Sequence, residues 1–339
     1  MRKRLGILVA MLFYYSGLVG LFRRHMQRMG KRLIILNYHH ADTSNLRSHF
    51  AYLSRHYRVM HLEDALHALY ATQQNMPVDR RTIAVITFDD GYRDNYTHAF
   101  ALARELQVPI TIFLIPGYVE SGTHFWWHES CRLLRYTRVN EVTLDGYTYH
   151  LTVPEEKQQL AQLIDGRLRY AGSVAERELF LKHIRAQLNV SPDPMVHELE
   201  HMPLSWEEIL TMQQSGLVSF GSHTMHHPVL ACLDNADDLR YELEASRQAL
   251  QQRLGTAVST FAYPIGKEAH VSHAAVRAVG DAGYSWAVTA MPGFNTPASH
   301  PLLLRRVLAE ERRHWSVVAA ELCGIWSYLS PFWKFLLGE

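Results

Sequence analysis

The chain alternates short apolar runs with amphipathic stretches over most of its length. Residues 32–37 (RLIILN), 82–88 (TIAVITF) and 109–115 (PITIFLI) are nearly continuous in apolar and β-branched side chains. Runs of this length without polar alternation predict strands buried on both faces. Residues 44–67 read in part as helix, with an extended patch at 57–60. Residues 96–106 place Phe100, Leu102, Ala103 and Leu106 at helical spacing. Strand, helix and strand in this rhythm predict βαβ units with parallel strands. The rhythm returns later in the chain: a helix at 206–215 capped by Gly216, a strand at 218–220, a long amphipathic helix at 237–254, a strand at 260–263, a helix at 271–282 and a strand at 285–289.

Between the two halves the pattern changes. Residues 141–153 (EVTLDGYTYHLTV) alternate around Asp145-Gly146, a hairpin signal, and 154–188 are charged and helical. Pro192, Pro194 and Pro203 then interrupt the chain, so residues 124–203 read as an insertion. It opens with Phe125, Trp126, Trp127 and His128. Aromatic side chains stack on sugar faces, and core packing of the insertion is the other use for them.

The ends differ again. Residues 6–22 are an uncharged stretch of 17 residues, flanked by Arg2, Lys3 and Arg4 and by Arg23, Arg24, Arg28, Lys31 and Arg32. That is at the short limit for a membrane span, and no small-residue cleavage motif follows it. Residues 1–32 are therefore expected to be a membrane anchor, either a short span or a helix lying in the interface. The last residues, 311–339, crowd Trp326, Tyr328, Phe332, Trp333 and Phe335 around Pro331. Such a tail suits a membrane interface or packing against the domain.

Composition narrows the function. The chain of 339 residues is 47% hydrophobic with a formal net charge of +1. It has ample core, and no broad basic field that would point to nucleic acid as partner. Only 3 Cys are present, far apart, against 21 His, which excludes a thiolate zinc site and a disulfide framework. The basic flank after the apolar segment and the lack of disulfides favour the cytoplasmic face of an inner membrane over the periplasmic one.

Reactive side chains recur where predicted strands end: His39, Asp89, Asp90, His223 and Tyr263. In parallel β/α folds that is the ligand-binding face. In ITFDDGY (86–92) two adjacent carboxylates follow an apolar run, a costly place for acids unless something neutralises them. In GSHTMHHP (221–228) His223 and His227 are four apart, so on a helical turn both imidazoles would point the same way. Two His and one carboxylate form a common catalytic divalent-metal set with open positions. Either aspartate fits as ligand, leaving the other as a base.

TFDDG (87–91), followed by SHTMHH (222–227) and FAYPIG (261–266), resembles the polysaccharide deacetylases with a NodB-homology domain, carbohydrate esterase family 4. The resemblance covers about residues 33–120 and 205–310. It implies a distorted (β/α) barrel over 33–310 and a divalent-metal-dependent hydrolase, with zinc the expected metal, that removes acetyl groups from N-acetylated amino sugars. It assigns Asp89 as catalytic base and Asp90, His223 and His227 as metal ligands. The Tyr263 backbone N–H would help hold the oxyanion, and Arg306, with Arg305 as competitor, would orient the base. Thr224 fills a position that is usually Ser or Thr, and His226 is extra, expected to pack the loop. Asp281 to Tyr284 would shape the barrel end.

Two departures stand out. Phe261-Ala262 replace a common arginine, and His314, the only histidine close after Arg306, does not match the spacing of the family's late acid motif. The general acid is sought among His39, His270 and His273, with His39 first through an early YHH-like motif. The substrate is expected to be a membrane-proximal polysaccharide or lipid-linked sugar, with the membrane surface and glycan-biosynthesis enzymes as further partners. Deformylation, O-deacetylation, a catalytically silent carbohydrate-binding module and an assembly partner of a glycosyltransferase complex are the alternatives.

Overall fold

The computed structural model describes residues 2–41, 44–71, 79, 81–191, 201–310 and 312–324. The aromatic cluster from Trp326 to Phe335 lies outside the described residues. Seven parallel strands close into a barrel: β1 (Leu33–Tyr38), β3 (Ile83–Phe88), β4 (Ile110–Leu114), β7 (Val218–Ser222), β8 (Thr260–Ala262), β9 (Trp286–Pro292) and β10 (Leu304–Leu308). The ring runs β1-β10-β9-β8-β7-β4-β3 and returns to β1, with Leu33 to Tyr38 in register with Ile83 to Phe88. A two-residue strand, β2 (Arg58–Val59), adds to β3 from outside the ring.

Strand period and closure explain the burial. Leu33 and Ile35 of β1, Val85, Phe113, Ala262, Val288 and Leu304 alternate inward and fill the lumen. Their neighbours Ile34, Leu36, Ala84, Ile86, Ile110, Ile112, Phe261 and Ala287 face the helices. With both faces covered, each strand reads as a continuous apolar run. The helix α4 (Leu62–Tyr70) closes the end where strands begin. Leu62, Leu66 and Leu69 join the lumen cluster, Leu62 N–H donates to Thr111 Oγ1, and Ser259 Oγ donates to Glu63. One barrel mouth is thereby plugged, and only the strands' C-terminal end is open.

The outer helices are set by local signals. The helix α10 (Trp206–Gln214) starts at a capping box in which Ser205 and Glu208 bond each other's backbone. The helix α11 (Ala236–Leu254) is capped by Asn235 and ends at Gly255 in the left-handed region. The remaining barrel helices are α3 (Ser44–His56), α5 (Ala101–Leu106, continuing a π-helical turn from Asn95), α6 (Pro116–Ser121), α12 (His273–Asp281) and α13 (Trp315–Leu322). Residues between β4 and α10 build a second core. There α7 (Trp126–Tyr136), the hairpin β5 (Glu141–Leu144) and β6 (Tyr147–His150), α8 (Pro154–Arg169) and α9 (Val174–Leu188) pack around Leu133, Leu160, Ile164, Leu181 and Ile184.

The N-terminal apolar segment does not form one helix. It makes α1 (Arg2–Tyr15) and α2 (Leu18–Arg28), bent by 68° at a break around Gly17, whose φ is 84°. Among the described residues no single helix is long and apolar enough to cross a membrane. Ala10 packs with Val317 of α13, and the Tyr14 ring meets Trp315 and Tyr52 edge-on.

His49 on α3 ties these layers together. It accepts from the Tyr38 hydroxyl at Nδ1 (3.1 Å) and donates from Nε2 to the Arg313 carbonyl (2.9 Å). Burial pushes its pKa down from 6.5 to about 4, against the carbonyl bond, which raises it. The unfolded chain therefore takes up this proton before the folded one does. Its contribution to stability is whole above about pH 6.5 and is lost as pH falls toward about 4. Thermal or urea unfolding of the protein from pH 7 to pH 4 should show a loss of which roughly 2–3 kcal/mol disappears in His49→Gln. An unchanged pH slope in that variant would contradict this assignment.

Candidate metal centre and active site

The open mouth of the barrel holds a cavity of about 540 Å³. Its wall includes His39, Asp89, Asp90, His223, His227 and Arg306, so six of the seven residues singled out from the sequence meet in one place.

Asp89 and Asp90 follow β3 directly, and both are buried. Asp89 is held by Arg306 of β10 in a two-pronged pair, Nη1 to Oδ1 and Nη2 to Oδ2 each at 2.7 Å. Arg306 also donates to the Thr289 carbonyl at 2.7 Å and to Thr87 Oγ1 at 3.3 Å. Strand alternation settles the choice between the two arginines: Arg306 points into the barrel, and Arg305 points out and donates to the Pro292 carbonyl. Burial raises the Asp89 carboxyl, and the Arg306 charge and the nearby His223 and His39 outweigh it and hold the carboxyl below its usual range.

Asp90 has no such cation. Its backbone is left-handed (φ 70°), and so is that of Gly91 (φ 69°). A Cβ at Gly91 would sit 2.7 Å from the Leu114 side chain, so both the space and the left-handed backbone favour glycine in this tight turn. The turn aims Asp90 Oδ1 at His223 Nε2 (3.5 Å) and His227 Nε2 (3.6 Å). One ligand atom from each of the three lies within 4.8 Å of the others. Asp90 Oδ1 is buried without a hydrogen-bond donor. Burial raises this carboxyl as well, and the His223 and His227 rings pull it far below its ordinary value. His223 Nδ1 donates to the Ala262 carbonyl at 2.7 Å, which fixes the tautomer that leaves the Nε2 lone pair toward Asp90. An orphaned buried carboxylate facing two imidazole nitrogens is a donor set that fits a divalent cation.

The segment bearing His223 and His227 is not the helical turn expected from the four-residue spacing. Thr224 (φ 68°) and His227 (φ 56°) are both left-handed, and the chain runs as an irregular loop after β7. Thr224 Oγ1 accepts from the His227 N–H at 2.8 Å, and the Trp126 indole donates to the His227 carbonyl at 3.0 Å. His226 turns away to Glu242 of α11 (2.7 Å) and packs the loop. Among the described residues seven non-glycine residues have positive φ, and four of them (Asp90, Thr224, His227 and Ile265) surround this cluster. Threonine and isoleucine are poorly suited to that region, so backbone strain is concentrated at the site.

The oxyanion assignment to Tyr263 needs correction. Its backbone N–H is spent on the Val288 carbonyl in the sheet (3.1 Å), and its hydroxyl donates to the Leu302 carbonyl. Ile265, two residues on, lines the cavity with a left-handed backbone (φ 60°). Among the described residues no acceptor is recorded for its N–H.

Of the acid candidates only His39 lines the cavity. His314 caps α13, His273 begins α12 on the surface, and His270 lies on the short turn after β8. Sequence reasoning gave no role to His40, which also lines the cavity, as does His128 at the head of the insertion. His40 Nδ1 is 2.8 Å from the buried Asp94 carboxylate, and its ring lies tilted against that of Tyr92, with centroids 4.1 Å apart. The signal for it was Asp94, five residues after Asp89. The insertion supplies the rest of the wall: Trp126, Trp127 and His128, with Trp127 donating to the Tyr92 hydroxyl (2.6 Å) and Phe125 stacked behind it (4.6 Å). Arg169 and Lys267 complete the rim.

Comparison with known proteins agrees with this geometry. The profile of the polysaccharide deacetylase family matches residues 77–286, well over half of the chain. No curated protein matches it in sequence. Among solved structures, the fold is similar to the Streptococcus pyogenes deacetylase PplD in complex with acetate (TM-score 0.56, 16% identity, 85% of this chain and 96% of that one). It is similar too to IcaB from Ammonifex degensii (0.54, 21%, 86% and 97%) and to the BpsB deacetylase domain from Bordetella bronchiseptica (0.52, 15%, 82% and 96%). With a closed seven-stranded barrel, and a family profile that runs from before β3 to the start of β9 and takes in the paired acids and the His223–His227 loop, the chain belongs to the polysaccharide deacetylases, hydrolases of N-acetyl amide bonds.

Proposed function

We propose that this deacetylase is metal-dependent and acts on N-acetylated amino sugars of a membrane-proximal polysaccharide or lipid-linked glycan. The observation that carries the proposal is the buried Asp90, His223 and His227 set beside a second acid, Asp89, already neutralised by Arg306. Asp90, His223 and His227 would hold the cation, and their donor chemistry suits zinc. When bound, a divalent cation supplies a Lewis acid that polarises the amide carbonyl and acidifies water.

The chain's own residues do the rest. Asp89, ionised and oriented by Arg306, keeps a free lone pair on each oxygen and takes the proton from the attacking water. The Ile265 N–H, in place of Tyr263, is positioned to donate to the oxygen on which charge develops. His39 donates the proton that the leaving amine needs as the C–N bond breaks, giving acetate and a free amino sugar. His40, oriented by Asp94, is the second donor within the cavity. Tyr92 and Trp127 offer the aromatic surface for the sugar ring.

The rim bears on which sugar is taken. Apart from Asp89 and Asp90, no carboxylate lines the cavity among the described residues, whereas Arg169 and Lys267 both do. Arg169 shares its charge with Asp165 at 3.0 Å, and Lys267 is exposed. With Asp89 balanced by Arg306 and Asp90 by a cation, the mouth is positive. That favours a substrate carrying a negative charge near its acetamido group, as a lipid-linked sugar phosphate does.

Two outcomes are expected. Asp89→Asn should lower acetate release from N-acetylglucosamine oligomers or an N-acetylhexosamine phosphate by about 10²–10⁴-fold while metal content stays that of wild type. Near-full activity would remove Asp89 from the role of base, and formate release from N-formyl substrates in preference to acetate would favour the deformylase alternative. Lys267→Ala should raise KM for the sugar phosphate about tenfold and leave KM for the neutral oligomer unchanged. Equal effects on both substrates would reject the charged-substrate reading.

A further inference from the structure

The bent pair α1 and α2 leaves a continuous apolar face uncovered. Leu5, Leu8, Leu12 and Tyr15 recur at three- and four-residue spacing on α1, and Leu18 and Leu21 continue the line on α2. Leu8 is 62% exposed, Leu12 68%, Tyr15 71% and Leu21 62%. Isolated apolar residues on a surface are ordinary, but an unbroken stripe along two helices marks an interaction face. The opposite face of the pair is committed: Ala10 and Val19 are fully buried, Ala10 against Val317, and Tyr14 meets Trp315 and Tyr52.

We propose that this face docks the enzyme on an anionic lipid surface, lying in one leaflet without spanning it. Neither helix spans by itself: 14 residues of α1 and 11 of α2 rise roughly 21 and 16 Å, each short of the roughly 30 Å hydrocarbon core. End to end the pair would have the length, but the 68° bend turns α2 away from the axis of α1. Packing argues against spanning, because the pair gives one side to α13 and Tyr52 of the barrel domain, which a crossing of the bilayer would have to strip away. Charge identifies the occupant. Residues 2–32 carry eight Lys or Arg and no Asp or Glu. Arg4, Arg24 and Arg28 are exposed beside the stripe. Tyr15 at the bend is an interfacial side chain. An apolar face with only basic neighbours matches anionic headgroups over acyl chains. A second copy of the chain would bring two basic rims together.

The arrangement bears on the substrate class without depending on it, since docking is read without turnover. The experiment is co-flotation of the full chain with vesicles of phosphatidylcholine alone or with 30% phosphatidylglycerol, at low and high salt, with size-exclusion light scattering alongside. Wild type should float with the anionic vesicles, at least about tenfold more than with neutral ones, and salt should weaken it. The paired substitution Leu8→Asp with Leu12→Asp should abolish flotation while keeping the melting temperature and acetate release from a soluble oligomer. Arg24→Glu with Arg28→Glu should lose the preference for anionic vesicles. No flotation of wild type, or flotation indifferent to the leucine pair, overturns the proposal. So does a dimer that those substitutions dissociate, which would assign the face to a second copy. Flotation lost on removing residues 325–339 and kept in the leucine variant would assign docking to the C-terminal tail, and overturns it as well.

Discussion

A carboxylate taken out of water must be neutralised, and this barrel buries two in succession. Removing one partner from a buried ion pair costs several kcal/mol because the surviving charge is left alone. Asp89 meets that demand with the Arg306 fork, which reaches across from β10 to the end of β3 and helps tie the ring shut. Asp90 has only two imidazoles, at 3.5 and 3.6 Å, and an oxygen with no donor. Imidazoles at that separation do not hydrogen-bond the carboxylate well. These three groups leave Asp90 short of positive charge, and the proposal of a divalent cation at the site follows from that imbalance.

The rest of the fold holds the imbalance in place. With α4 plugging one end of the barrel and apolar side chains filling most of its lumen, the lumen's buried charges are confined to the top layer, where Asp89 and Arg306 lie with Asn37 and Thr87. The left-handed residues Asp90, Thr224, His227 and Ile265 are all on loops at that mouth. Left-handed backbones on β-branched residues persist only where neighbours impose them, and here the Thr224 hydroxyl, the Trp126 indole and the sheet supply the restraint. The insertion joins the same wall through Trp126 and Trp127, so the element that shapes the cavity also clamps the loop that carries His223 and His227.

Much of this was legible in the sequence because it rests on period and position. Buried parallel strands announce themselves as uninterrupted apolar runs, and the acids and histidines at the ends of three such runs were visible without coordinates. What was not legible depends on tertiary context. The strand β10 is interrupted by Arg305 and Arg306, and a polar pair there hides that one of them points into a polar lumen. The spacing of His223 and His227 suggested a helical turn, but a loop with two left-handed residues brings the rings together equally well. The Tyr263 amide looked free until the sheet register assigned it to Val288. His40 passed unnoticed because its partner Asp94 is 54 residues away in sequence. The 17 apolar residues near the N-terminus gave no sign that Gly17 bends them into two helices with one face against α13.

The central claim is that the Asp90, His223 and His227 set is a divalent-metal site. Its most direct test is calorimetric titration of zinc into chelator-treated protein, paired with metal analysis and with the same titration of His223→Ala. Wild type should show one tight site per chain, with proton release on binding and a raised melting temperature, all lost in the variant. Wild type that takes up no metal, or His223→Ala that binds as tightly, would contradict it.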